Sequence, residues 1–343
     1  MARMPGKKPK GPWGPVAKAS STRKPLADRE IEKEREWNAP ELKALQEAYR
    51  EGRLSLVLGA GISKACGVPM WEELTRSLLR SSLAGLYESV GPEEAPLHVR
   101  DIEATLKERV RPMIVRYVKA KLGERFLDEV RKALYQRPPR LSGTVREILA
   151  MQRLSAILTL NFDDLLETFA ERLGAEDRYV SIFEAPIRVP LHRIPIYHTH
   201  GFLPADPSLR RSTGLIFSED DYHERLHQPY HWTDHVFLDL LARTTCLFIG
   251  TSGEDPNLRR LIDLARTLAV PNRHFILLKP PAPLPADGRA AIRYSASRRA
   301  VWDAFEHLGL AVLWIHAYDR DIPAILRHIR LARPGKSPSR RSA

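Results

Sequence analysis

Two cysteines, Cys66 and Cys246, are all that the 343 residues contain. That count excludes a disulfide framework, and it excludes a four-cysteine zinc module just as firmly. No apolar run is long enough to span a bilayer, and the basic N-terminus is not followed by the apolar core of a secretory signal, so a cytoplasmic protein with no membrane association is expected. Acid is missing from both ends of the chain. Residues 1–25 hold seven Lys or Arg and no Asp or Glu, and residues 331–343 hold four more basic residues and again no acid. Between them 43 basic residues face 42 acidic ones, so the net charge of +12 belongs to the tails and the body is nearly neutral. The tails are rich in Pro, Gly, Ser, Lys and Arg and cannot offset the entropy of ordering. Residues 1–38 and 333–343 are therefore expected to be disordered basic tails, either solubilising or available to touch nucleic acid.

What is present between them is alternation. Leu54–Leu58 reads as a buried parallel strand, preceded by a short helix over Glu41–Arg50. Further apolar runs at Ser155–Leu160, Ile194–Thr199, Cys246–Gly250, His274–Leu278 and Ala311–Ile315 read as strands. Helical patterns fall near Asp164–Arg172, Thr233–Arg243, Pro256–Thr267, Arg298–Leu308 and Ile322–Leu331. Strands alternating with helices predict an α/β, doubly wound (Rossmann-like) parallel sheet over residues 39–332. The stretch from about 75 to 151 has helical spacing throughout and predicts an inserted helical layer between the first two strands. No internal repeat is evident.

In such a sheet, chemistry gathers at the carboxyl ends of the strands. Four of these ends carry polar or glycine-rich loops. Gly59-Ala60-Gly61-Ile62-Ser63 permits a tight turn, yet it lacks the third glycine of a dinucleotide fingerprint and the Gly-Lys-Ser/Thr ending of an ATPase loop. Close helix–strand packing and phosphate binding both remain open for it. Thr159-Leu160-Asn161-Phe162-Asp163-Asp164 offers Asn161 and Asp163, either of which is also a good helix cap. Tyr197-His198-Thr199-His200-Gly201 places His198 and His200 on one side of a strand by alternation. Gly250-Thr251-Ser252-Gly253-Glu254-Asp255 is a small-residue turn into a helix, suited to a ribose or a phosphate and equally to a plain junction.

The set GAGIS, TLNFDD, HTHG and GTSGEDPNL, in this order and each at a strand end, resembles the sirtuin-like NAD-binding domain family, and in particular its bacterial antiviral-defence NADase branch. FSEDDYHE at residues 217–224 is similar to a segment of that branch. The resemblance covers about residues 52–270. Deacylating sirtuins carry a four-cysteine zinc module and a glutamine where Leu160 stands here, so the departures point away from deacylation and towards NAD hydrolysis. By resemblance, Asn161 orients the ribose or the attacking water, and His200 acts on a ribose hydroxyl or that water. Gly59, Ala60, Gly61 and Ser63 approach the diphosphate. Gly250, Ser252 and Asp255 line the other end of the nucleotide, and Asp163 supports catalysis or only caps a helix.

The activity so implied is an NAD glycohydrolase that releases nicotinamide and ADP-ribose, and depletes NAD in anti-phage defence, with NAD as substrate and neither cofactor nor metal. The domain and its insertion fill the chain between the tails. Control is thus expected from outside, through a homo-oligomer, a partner defence protein such as an ATPase or nuclease, or a phage trigger. Two other readings stand beside it. The same loops would serve a non-catalytic NAD or ADP-ribose sensor. His223-Glu224-Arg225-Leu226-His227 also matches the zinc-hydrolase pattern H-E-x-x-H, although Pro229 is expected to end its helix early.

Overall fold

A computed structural model of the chain describes residues 24–83, 93–94, 97–98, 100–102, 104, 114–228, 231–267 and 273–332. The helices described are α1 (Leu26–Arg50), α2 (Ala60–Ala65), α3 (Trp71–Ser82), α4 (Ile114–Leu122), α5 (Phe126–Leu134) and α6 (Gly143–Ala150). They continue with α7 (Leu165–Arg172), α8 (Glu219–Leu226), α9 (Trp232–Arg243), α10 (Pro256–Thr267), α11 (Gly288–Leu308) and α12 (Tyr318–Arg330). The strands are β1 (Leu54–Leu58), β2 (Leu154–Thr159), β3 (Tyr179–Ile182), β4 (Ile194–His198), β5 (Thr245–Ile249), β6 (His274–Leu278) and β7 (Leu310–Trp314). They form one seven-stranded sheet in the order β3-β4-β2-β1-β5-β6-β7, and every neighbouring pair is parallel.

A parallel sheet must be covered on both faces, and the strands show it by burying consecutive residues. All five residues of β1 and of β5 are buried. Their side chains divide by alternation between two cores. Leu54, Leu56, Leu58, Leu247 and Ile249 pack on one face with α1, α6, α7 and α12, while Val57, Cys246 and Phe248 pack on the other with α9 and α10. Helices α3 to α6 supply the layer expected between the first two strands. Much of residues 84–113 within that layer, and the tails at 1–23 and 333–343, lie outside the described residues. No helix among the described residues is long and apolar enough to cross a membrane.

The structure corrects the sequence reading at three places. Residues 26–38, expected to be tail, are the first half of α1, a 25-residue helix that runs through Pro40. Proline inside a helix removes a hydrogen bond and disfavours a helix that runs through it. Tertiary contacts override it: Glu30 and Glu34 pair with the buried Arg298 of α11 at 3.0 and 2.6 Å. Glu34 also accepts from Tyr294 at 2.7 Å and contacts His316 at 2.6 Å. The Asn38 amide closes a two-way hydrogen bond with the backbone of Trp314, so α1 covers the outer edge at β7. Helix α11 starts at Gly288, ten residues before the apolar periodicity suggested, with Asp287 accepting from the Ala290 amide as its cap. Strand β3 has only four residues, too short for a period-two pattern to declare itself, and it pairs with β4 as the opposite edge.

Arg298 is 1% exposed and its partners are carboxylates at the same depth. Truncating it leaves buried charge unpaired, which costs about 3–5 kcal/mol. Arg298→Ala is expected to lose roughly that much stability in denaturant unfolding and to expose residues 26–38 to limited proteolysis before the sheet; an unchanged midpoint with α1 still protected would contradict this account.

Candidate functional site

Register brings four strand ends to one level. Leu58 pairs with Thr159 on one side and with Ile249 on the other, and Thr159 pairs with His198. The residues that follow, Gly59, Leu160 with Asn161, Thr199 with His200, and Gly250, therefore emerge side by side along the carboxyl edge. The chain builds the β1-β2-β4-β3 half first and then returns across β1 to build β5-β6-β7. The order thus reverses between β1 and β5, the position where open α/β sheets leave a crevice.

At that reversal the two backbones touch. A Cβ on Gly59 would stand 2.6 Å from the Gly250 carbonyl oxygen, and a Cβ on Gly61 would stand 2.8 Å from the Gly250 Cα. Gly250 itself sits at φ +72°, a left-handed conformation that favours glycine. The Gly59 amide donates to Ile249 and the Gly61 amide to Gly250, at 2.9 and 2.8 Å. Both glycines of the first loop are thus spent on backbone packing, and their amides are turned into β5. Ala60 is the exposed residue of the turn.

Ser63 is buried and turned inward as well. Its hydroxyl donates to Asp163 at 2.6 Å and accepts from the Asn161 amide nitrogen at 2.9 Å. That nitrogen also donates to the Gly59 carbonyl at 3.1 Å. Both amide hydrogens of Asn161 are committed, which leaves its Oδ1 as the acceptor it can offer to a ligand. Asp163 lies beneath, buried, with one oxygen on Ser63 and the other receiving the Leu165 amide at 3.4 Å. Burial pushes its carboxyl up to about 6, against the opposing pull of the Ser63 hydroxyl. The chain Asp163–Ser63–Asn161 therefore holds the Asn161 side chain in one orientation against the glycine turn.

His200 is brought to the same place by a different route. Strand β4 stops at His198, so the alternation expected to align the two histidines ends between them. His198 turns to Glu167 of α7 at 2.8 Å, whereas the His200 ring stands beside the Leu160 backbone, one residue before Asn161. The His200 Nε2 stands 3.8 Å from Asp255 Oδ2. Burial pushes this imidazole down to about 4; Asp255 draws it upward and the nearby Arg225 downward. At neutral pH it is uncharged and able to accept a proton. Asp255 occupies the head of α10, where it receives the Leu258 amide at 2.8 Å and the Tyr222 hydroxyl at 2.7 Å. Ser252 points outward and bonds Glu254 at 3.2 Å. The site thus gathers Gly59, Asn161, Ser63, Asp163, His200, Gly250 and Asp255, while Ser252 stays on the rim.

Beside it opens a cleft of about 710 Å³, walled by Trp71, Phe217, Tyr222, Pro256 and Arg260. These wall residues were not singled out in sequence, because they come from three segments far apart in the chain; the one signal was the aromatic pair Phe217 and Tyr222 within FSEDDYHE. The H-E-x-x-H pattern lies on α8, but the helix ends at Leu226 and His227 is its cap. His223 and His227 are both exposed, and among the described residues no three His, Cys, Asp or Glu side chains are grouped to hold a metal ion.

Comparison with known proteins meets the resemblance carried by the motifs. Residues 155–300 match the SIR2-like domain family. The chain is 25% identical over 270 residues to defense-associated sirtuin 2 of Bacillus subtilis, covering 77% of this chain and 24% of that protein. It is 24% identical over 233 residues to the NAD(+) hydrolase ThsA of Cytobacillus dafuensis, covering 66% of this chain and 41% of that one. It therefore spans less than half the length of either relative. Among solved structures it is similar to a Sir2 enzyme at 12% identity and a TM-score of 0.41, covering 84% of this chain and 96% of that one. A Sir2 homologue in complex with ADP-ribose aligns at 15% identity and a TM-score of 0.35, covering 77% of this chain and 97% of that one.

The buried Asp163 gives the site a pH signature. Its carboxyl is raised in the fold from an ordinary value of 3.8 to about 6, so its contribution to stability is fully present below the ordinary value and is lost as pH rises through the folded one. Ionised, it costs the fold about 3 kcal/mol relative to the protonated acid. Asp163→Asn can still accept from Ser63 and has nothing to ionise. The variant's melting temperature is expected to gain on the wild type as pH goes from about 5 to about 8; a gap that stays flat or narrows would refute the assignment.

Proposed function

We propose that the chain is an NAD glycohydrolase, cleaving NAD to nicotinamide and ADP-ribose, and that it acts in bacterial anti-phage defence by depleting NAD. The observation that carries this reading is the convergence of Asn161 and His200 on one strand end. The imidazole stands beside the backbone of Leu160, and the next residue, its amide nitrogen held by Ser63 and Gly59, offers its amide oxygen beside the sheet reversal and an aromatic-walled cleft. The SIR2-like match and the NAD(+) hydrolase among the relatives support the substrate, and the defence-associated sirtuin supports the setting.

The bond between nicotinamide and ribose is weakened by the positive charge of the ring, which leaves as a neutral base, so no strong general acid is required. The site has to hold the ribose, tolerate an oxocarbenium-like transition state and deliver water. Oδ1 of Asn161 accepts from a ribose hydroxyl or from the water. His200, uncharged at neutral pH, takes the proton that the hydroxyl or water gives up as the new C–O bond forms. Ala60 on the exposed side of the turn, with Gly59, Gly61 and Gly250 beneath it, faces the diphosphate, and Ser252 on the rim faces the far end of the nucleotide. In this reading NAD is substrate rather than cofactor, and no metal takes part.

Unrestrained NAD consumption would kill the host, so the reading includes a switch in which self-association or a partner defence protein favours the competent state. A change of about ten-thousand-fold in activity requires about 5.5 kcal/mol of differential binding, which a protein interface readily provides.

Asn161→Ala and His200→Ala are each expected to lower nicotinamide release by about a hundred- to ten-thousand-fold with the melting temperature little changed. Chelation is expected to leave the wild-type rate intact. Wild-type turnover in either variant, or cleavage abolished by chelator and restored by zinc, would sink the proposal.

A further inference from the structure

Asp255 was expected, by resemblance, to meet the nucleotide, but its oxygens are otherwise engaged. One receives the Leu258 amide at 2.8 Å, and the other receives the Tyr222 hydroxyl at 2.7 Å while facing His200 Nε2 at 3.8 Å. Tyr222 reaches both partners, because its ring also stands edge-on to the His200 ring, with centroids 5.9 Å apart and planes at 83°. We propose that Asp255 and Tyr222 are positioning residues for His200: the carboxylate supports the imidazole, and the Tyr222 hydroxyl fixes that carboxylate and shares its charge.

The arrangement has a physical logic. While His200 is uncharged, its Nε2 and Asp255 Oδ2 stand 3.8 Å apart, beyond hydrogen-bond distance. Once the ring takes a proton, the same pair becomes an ion pair in a buried setting, where a carboxylate stabilises the imidazolium far more than it would in water. The Tyr222 hydrogen bond draws on the same oxygen, Oδ2, and so moderates that pull. Arg225, on the same helix as Tyr222, opposes it: one of its nitrogens donates to the Thr199 carbonyl at 2.8 Å, and another pairs with Asp234 at 3.3 Å. The cavity on the other side of the ring adds Asp221, Glu224 and His231. His200 is therefore poised between one carboxylate and one guanidinium, and Tyr222 sets how much of the carboxylate it feels.

This inference rests on His200 acting in the site proposed above, yet it can be read without turnover. The test follows the ring of His200 by NMR titration of histidine-labelled protein in the absence of NAD, with His200→Ala to assign the signal. Tyr222→Phe keeps the ring and frees Oδ2, so His200 is expected to bind its proton more tightly, by about tenfold. Asp255→Asn keeps the cap to Leu258 and removes the charge, so the proton is expected to be held more weakly than in the wild type. The opposite signs are decisive, because mere loosening of the packing would admit water and tighten proton binding in both variants. Movement in the same direction, or no movement in either, would overturn the proposal. In NAD cleavage, the acid limb of kcat/KM is expected to move up in Tyr222→Phe and down in Asp255→Asn. If no variant and no wild-type sample cleaves NAD, even when co-expressed with its neighbouring defence proteins and challenged with phage, while the titrations still diverge, the positioning role stands and the glycohydrolase reading falls.

Discussion

The contact between two backbones at the sheet reversal governs the rest of the structure. Gly59 and Gly61 lie against Gly250 at distances no side chain could occupy, and two amide hydrogen bonds lock β1's exit to β5's exit. Because register puts Thr159 and His198 at the same level, closing this contact also fixes where the loops after β2 and β4 emerge. The glycines contribute mainly by letting neighbouring loops stand close enough to share one small volume. A methyl group at either position would push the strand exits apart and separate Asn161 from its Gly59 anchor.

Two polar chains meet across that contact, and they differ in kind. Asp163, Ser63 and Asn161 are hydrogen-bonded in series with distances of 2.6 and 2.9 Å, buried and fully committed except for one amide oxygen. That is the pattern of a side chain held rigid. His200, Asp255 and Tyr222 include one open distance of 3.8 Å, which closes only if a proton arrives. One chain thus presents an acceptor in fixed geometry, while the other presents a group whose partner gains strength on protonation. A site that must position a sugar and also take up a proton needs both.

Much of this was legible in the chain. Five-residue apolar runs such as Leu54–Leu58 and Thr245–Ile249 are buried on both faces and announce a parallel sheet, and the polar residues at their ends mark the chemistry. What was not legible depends on long-range contact. The helix through Pro40 exists because Arg298, some 260 residues later, buries beneath Glu30 and Glu34; local propensity argued for a break. Ser63 read as a phosphate contact because nothing in sequence shows that Asp163 lies 2.6 Å from it. Tyr222 was only one letter of a resembling segment, since the Asp255 it bonds lies 33 positions away on another helix.

The inserted helical layer gains meaning from where it attaches. Lys119 of α4 pairs with Asp221, and Asp221 in turn receives the Ser218 and Phe217 amides that start α8. The next residue along α8 is Tyr222, on Asp255; three further is Arg225, on the Thr199 carbonyl. On the other side of the cleft, Trp71 of α3 packs on Phe217 with centroids 4.5 Å apart. The layer therefore holds both the aromatic wall of the cleft and the helix that supports His200. Any force that moved α4 relative to the sheet would act first on Asp221, then on the two α8 side chains that set the electrostatics of the imidazole. Coupling of that kind needs no change in the sheet itself, because the interaction of a buried carboxylate with an imidazole that takes up a proton depends steeply on their separation in a medium of low dielectric.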